Sequence, residues 1–159
     1  ARVGDMRRLD LPPASFDLVW CEGAIFVIGV EAGLREWRRL IAPGGHIALT
    51  DACWTRPDPP AECAAFWKAE YPAIGDVAAM LRIIGDCGYE TVGHFTVPAS
   101  SWWDDYYRPL QANVTAFRER HASEPDALGF ADQIQREIDI WHAYSESYSY
   151  EFFVARLLP

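Results

Sequence analysis

The stretch from Ser15 to Cys53 constrains the fold more than any other part of the chain. "SFDLVWC" (Ser15 to Cys21) is a short apolar run set between Pro12-Pro13 and Glu22-Gly23, as expected of a strand buried on both faces of a parallel sheet. Leu34, Trp37, Leu40 and Ile41 then recur at helical spacing until Pro43-Gly44-Gly45 stops the run. "HIALTDAC" (His46 to Cys53) supplies a second buried strand. Strand, helix and strand joined by short connections form a βαβ unit, whose crossover is right-handed and whose strands are parallel. The fold class is therefore α/β.

Downstream, "TRPDPP" (Thr55 to Pro60) reads as loop, because its three prolines remove backbone donors and fix φ. Gly75 to Cys87 carries Val77, Met80, Leu81 and Ile84 on one helical face and stops at Gly88. "YETVGHFTV" (Tyr89 to Val97) alternates as a strand. Ser101, with Asp104 three residues on, reads as the N-cap of a helix through Leu110, Val114, Phe117 and His121. A break at Ser123-Glu124-Pro125 precedes another helix through Leu128, Ile134, Ile138 and Trp141, and "YSYEFFVARL" (Tyr148 to Leu157) closes the chain as a strand. No repeat or linker interrupts this order, so residues 1–159 form one domain.

Half of the residues are hydrophobic, with seven Trp, seven Tyr and eight Phe, enough for a sizeable core. The formal charge of −9 repels phosphate backbones and is interrupted only by the pairs Arg7-Arg8 and Arg38-Arg39, so nucleic acid is not an expected partner. No run approaches the roughly 18 apolar residues of a membrane span. Cys21, Cys53, Cys63 and Cys87 show no C-x-x-C spacing and read as free thiols of a reducing compartment, the cytoplasm. His46, His94, His121 and His142 form no H-x-x-x-H pair, and no metal is expected.

"VGDMRRLDLPPASFDLVWCEG" followed by "EWRRLIAPGGHIALTDACW" resembles the second half of a class I S-adenosylmethionine-dependent methyltransferase, in particular the small-molecule branch related to ubiquinone and menaquinone methyltransferases. Each motif is short, but their order matches, and the similarity extends through "FWKAEYP", "SSWWDDYYRP" and the terminal strand. The resemblance implies a partial Rossmann-like, doubly wound sheet with strands in the order 4-5-7-6, the last of them antiparallel. Helices lie on both faces, and residues 98–147 form a small helical cap inserted between the last two strands. It also implies that residues 1–3 end the family's third strand and that the chain is a carboxyl-terminal portion lacking the glycine-rich loop and the ribose-binding acid. Asp17 to Cys21 then forms an unpaired apolar edge, through which a homodimer is expected to form.

By this resemblance the activity is methyl transfer from S-adenosylmethionine to a small apolar or aromatic molecule, weakened by the missing cofactor contacts. The competing reading is a non-catalytic, degenerate module for protein association. In such chemistry the cofactor brings an electrophilic sulfonium carbon, and the enzyme aligns a nucleophile and at most adds a base. The resemblance places Asp5 and Met6 against the adenine; the alternative is an Asp that merely ends a strand. Cys21, Glu22 and Gly23 lie at the carboxyl end of a strand beside the sheet's reversal of order, where open α/β sheets bind ligands. Their backbone would approach the sulfonium end. Glu22 is the first candidate for a catalytic carboxylate, against a solvated or capping role.

Asp51 ends the next strand and is the second catalytic candidate, against a turn or capping role, with Trp54 beside it as a substrate contact. Cys53 is read as a packed thiol. In "SSWWDDYYRP", Trp102 pairs with Tyr106 and Trp103 with Tyr107 at i, i+4, giving two aromatic stripes. One stripe is core, and the other lines a lid over substrate unless it also packs. Phe66, Trp67 and Tyr71 extend that wall or pack behind it.

Overall fold

In the computed structural model, which describes residue 1 and residues 3–159, everything is arranged around one long strand. This strand, β2 (Ile41–Trp54), is buried from Ile47 to Cys53, as its unbroken apolar run requires. It runs parallel to β1 (Phe16–Cys21) and antiparallel to β5 (Tyr148–Leu157). β5 in turn pairs antiparallel with β4 (Tyr89–Thr96), giving the order β1-β2-β5-β4. That is the 4-5-7-6 order with an antiparallel last strand.

Successive residues of a strand face opposite sides of the sheet, and the two sides have different partners. Ile47 and Leu49 of β2, with Phe153 and Ala155 of β5, pack against α1 (Val30–Trp37) and α3 (Val77–Asp86). Tyr148 and Tyr150 lie on the other face. They meet a second cluster from α2 (Ala61–Glu70), α4 (Ala99–Trp102), α5 (Arg108–Arg120) and α6 (Pro125–Tyr144). Helices thus cover both faces, and the sequence between β4 and β5 supplies most of the second layer.

Several local readings need correction. The Pro43-Gly44-Gly45 triplet does not separate helix from strand: Ile41 already pairs with Phe16, and the triplet bulges β2, shifting the register between Phe16 and Leu18. Gly45 is required there, since a Cβ would lie 2.9 Å from the Asp17 carbonyl oxygen. Gly75 belongs to a two-residue strand, β3 (Gly75–Asp76), paired with the end of β2, and Asp76 caps α3 by accepting from the Ala79 N–H at 2.6 Å. Helix α2 has almost no amphipathic stripe in its sequence and gave no signal. Ser101 caps nothing; α4 begins at Ala99 directly after Pro98, and Asp104 falls in a π-helical turn, Trp103–Tyr107. Val3 lies outside any strand, and Arg2 is outside the described residues. Among the described residues no strand pairs with the outer edge of β1, where Leu18 and Trp20 are 46% and 58% exposed.

Candidate active site

The carboxyl end of β1 divides two cavities. Cys21 lines one of about 590 Å³, together with Met6, Leu9, Trp37 and Trp20. Glu22 and Gly23, the next two residues, line another of about 530 Å³, walled by Trp67, Trp102, Tyr106 and Tyr150. The turn between them is fixed by backbone chemistry: Gly23 has φ +55°, a left-handed conformation that suits glycine, and its N–H donates to Thr50 Oγ1 at 2.8 Å.

On the first side, the Trp37 indole N–H donates to the Met6 carbonyl at 2.9 Å and ties the 5–8 turn to α1. Asp5 Oδ1 accepts from the Arg7 backbone N–H at 2.9 Å and from Arg7 Nε at 3.1 Å, and these bonds hold its carboxyl below the usual range. Asp5 is exposed, and its Oδ2 accepts no hydrogen bond among the described residues. Burial pushes the Cys21 thiol up. At the rim, Trp20 Nε1 donates to Glu22 Oε1.

Asp51 does not join Glu22. Thr50 and Asp51 are neighbours in β2 and so face opposite sides of the sheet; Thr50 takes the Glu22 side. Asp51, 2% exposed, opens instead on a third cavity of about 560 Å³ beside α1 and α3, where Tyr71 Oη donates to its Oδ2 at 2.7 Å. Burial raises its pKa to about 6 against the two hydrogen bonds that favour the carboxylate. Tyr71 is therefore the partner of Asp51, although its ring also meets Phe26 edge-on at 5.8 Å. Cys53 is 1% exposed and its thiol is pushed up to about 12, which leaves it inert.

The aromatic stretch is wound differently from an α-helix. A π-helical turn brings i and i+5 together, so Trp102 stacks on Tyr107 (5.6 Å, 14°); Trp103 stacks instead on Trp141 of α6 (5.6 Å, 11°). Trp102 and Tyr106 line the aromatic cavity. Tyr107 is fully buried behind it, donating to Glu137 Oε1 at 3.0 Å, while Trp54 and Trp103 pack against the second cluster away from the cavity. Trp67 completes the wall, but Phe66 packs in the core.

Six lining residues escaped the sequence reading: Phe26, Thr50, Val97, Ser101, Glu137 and Tyr150. Glu137 left a signal, since it lies between Ile134, Ile138 and Trp141 on the apolar face of α6. Its partly buried carboxyl is raised by desolvation against the Tyr107 hydrogen bond. Among the described residues no group of three or more His, Cys, Asp or Glu is placed to hold a metal, and no helix is long and apolar enough to cross a membrane.

Residues 1–49 match a family model described as a methyltransferase domain. A curated relative, phosphoethanolamine N-methyltransferase 3 of Arabidopsis thaliana, is 28% identical over 91 residues, covering 57% of this chain and 19% of its own length. Among solved structures, the [4+2]-cyclase SpnF superposes with a TM-score of 0.73 at 18% identity, over 99% of this chain and 55% of its own. A methyltransferase from Geobacter sulfurreducens, in complex with S-adenosyl-L-homocysteine, gives 0.72 at 20% identity, over 89% and 58%. The chain thus spans about one fifth of its curated relative and a little over half of these structures. One fold here carries both a methyltransferase and a cyclase, so the reaction has to be argued from the site.

Proposed function

We propose that this chain, which has the fold of class I S-adenosylmethionine-dependent methyltransferases, holds that cofactor on the Met6 side of the Cys21–Gly23 turn and a small apolar or aromatic acceptor on the other. The observation that carries this reading is the adjacency of the two cavities: Cys21 opens on one and Glu22-Gly23 on the next. Two reactants held on either side of one turn are held at short range, which is most of what methyl transfer requires of a protein.

The residues present fit part of the cofactor. Met6, Leu9 and Trp37 line the cavity and offer apolar contact for a purine; Asp5, the exposed neighbour of Met6, stands outside the lining with Oδ2 free to accept from an amino group, and Glu22 opens on the other cavity, across the turn. Bound there, S-adenosylmethionine supplies an electrophilic methyl carbon. The chain's own residues do the remainder: Gly23 keeps the turn low, the aromatic walls exclude water, and Glu22 is available to take a proton from the acceptor. Residues 98–147 serve as the cap. Four unbridged cysteines favour a reducing compartment, the cytoplasm.

Equilibrium dialysis with labelled S-adenosylmethionine tests this reading. With acceptors from Asp5 and one turn only, the expected dissociation constant is roughly 0.1–1 mM, and Gly23→Val abolishes binding because φ +55° excludes a branched side chain. Micromolar affinity would contradict the partial cradle, and a Gly23→Val chain that binds as well as the parent would remove the turn from the site.

A second reading, association without catalysis, is favoured by the open side of β1, where Leu18 and Trp20 are exposed next to an unpaired edge. It predicts a dimer in sizing and light scattering that Trp20→Arg dissociates; a monodisperse parent monomer would exclude it.

A further inference from the structure

The aromatic cavity has a composition that its apolar walls alone do not require. Phe26, Trp67, Trp102, Tyr106 and Tyr150 give it five aromatic side chains, and its two charged residues are Glu22 and Glu137. Among the described residues lining it there is no Lys, Arg or His. We propose that this cavity binds a cationic amine, held by π-faces and by the carboxylates of Glu22 and Glu137. The proposal rests on the reading of this cavity as the acceptor side and names the acceptor's chemical class, an amine that binds protonated and becomes a nucleophile only once Glu22 has taken its proton.

Electrostatic complementarity supports it. A neutral apolar occupant would desolvate two carboxylates that have one side-chain hydrogen bond each to compensate them, from Trp20 and Tyr107, and an anion would be repelled by both. A quaternary or protonated nitrogen is attracted by the negative faces of indole and phenol rings, and most strongly where water is excluded. Trp102 and Tyr150 lie 4.6 Å apart, tilted by 30°, so they form one continuous wall. The two carboxylates are held in place differently. Glu137 is half-buried and fixed by the Tyr107 hydroxyl through Oε1, leaving Oε2 without a hydrogen bond among the described residues. Glu22 is at the mouth, with Oε1 engaged by the Trp20 indole. One carboxylate inside and one at the entrance suit a cation with an apolar body, the charge inward.

The test uses choline and its uncharged isostere 3,3-dimethylbutan-1-ol, which match in shape and differ in charge. Binding to the full chain, without cofactor, is followed by the fluorescence of Trp67 and Trp102 and by amide chemical shifts. Choline is expected to bind at least tenfold more tightly than the alcohol. Tyr106→Leu, at an exposed position that the core does not need, and Glu137→Gln, which can still accept from Tyr107, should each reduce that preference about fivefold or more. Tyr106→Phe should keep it, because the ring face and not the hydroxyl is used. Equal binding of the two probes overturns the proposal, as does a choline preference that survives both Tyr106→Leu and Glu137→Gln. The outcome is separable from the methyltransferase reading: choline selectivity without cofactor binding at the Cys21–Gly23 turn leaves this proposal standing and removes the other, and cofactor binding without choline selectivity does the reverse.

Discussion

Replacing Asp51 by Asn should stabilise the protein at neutral pH, with an advantage that shrinks as the solution is acidified. Asp51 is 2% exposed, and burial raises its carboxyl from 3.8 to about 6. At 1.36 kcal/mol per unit, that rise costs the native state roughly 3 kcal/mol once the group is ionised in both states. The direction follows from proton binding. Between 3.8 and about 6 the folded chain holds a proton that the unfolded chain has released, so stability falls as pH rises through that window. The penalty is absent below 3.8 and complete above about 6. Asn at this site can still accept from the Tyr71 hydroxyl and never ionises. Urea titrations of parent and Asp51→Asn chains between pH 5 and 7.5, above the isoelectric point near 4.8, should show the variant's advantage growing by about 1.4 kcal/mol over that range. The paired comparison cancels every other titrating group. A stability difference independent of pH would refute the assignment of this penalty to Asp51.

Two further substitutions probe the packing that positions the site. Gly45→Ala places a Cβ 2.9 Å from the Asp17 carbonyl and 2.8 Å from Ile41 Cγ2, and should destabilise by more than about 2 kcal/mol in denaturant titration; an unchanged midpoint would show that the bulge yields freely. Tyr107→Phe removes the donor to Glu137 and leaves that carboxylate half-buried without its partner, which should cost about 1–3 kcal/mol at pH 7 and less at low pH, where Glu137 is protonated. Equal losses at both pH values would contradict a role for the carboxylate.

The sheet was legible because its strands carry two clear signals: unbroken apolar runs in β1 and β2, and a ten-residue terminal strand whose bounds are observed as read. What escaped is local chemistry that pattern does not encode. The Pro-Gly-Gly triplet is a stop signal in isolation, yet the pairing of Ile41 with Phe16 absorbs it as a bulge. Helix α2 lacks a stripe because it buries only Cys63 and Phe66. The i, i+4 spacing of the tryptophans and tyrosines does not say which stripe packs: Trp102 and Tyr106 line the cavity and Trp103 and Tyr107 pack behind it, while the π turn that stacks Trp102 on Tyr107 left no signal in the spacing. Asp51 does not end its strand, which runs on to Trp54, and it lies on the face opposite Thr50, since a period of two turns one residue of offset into the opposite side. Asp5 and Met6 are proposed on a family resemblance, and Cys21, Glu22 and Gly23 on their place at the carboxyl end of a strand; composition alone marks none of them.

Titrating ¹⁵N-labelled chain with S-adenosylmethionine and recording amide shifts shows whether ligand meets the Cys21–Gly23 turn. Millimolar-range changes are expected at Met6, Cys21, Glu22 and Gly23, with Asp51 and α3 unmoved. Shifts centred on the cavity beside Asp51, or an undisturbed turn at saturating ligand, would contradict a ligand site at that turn.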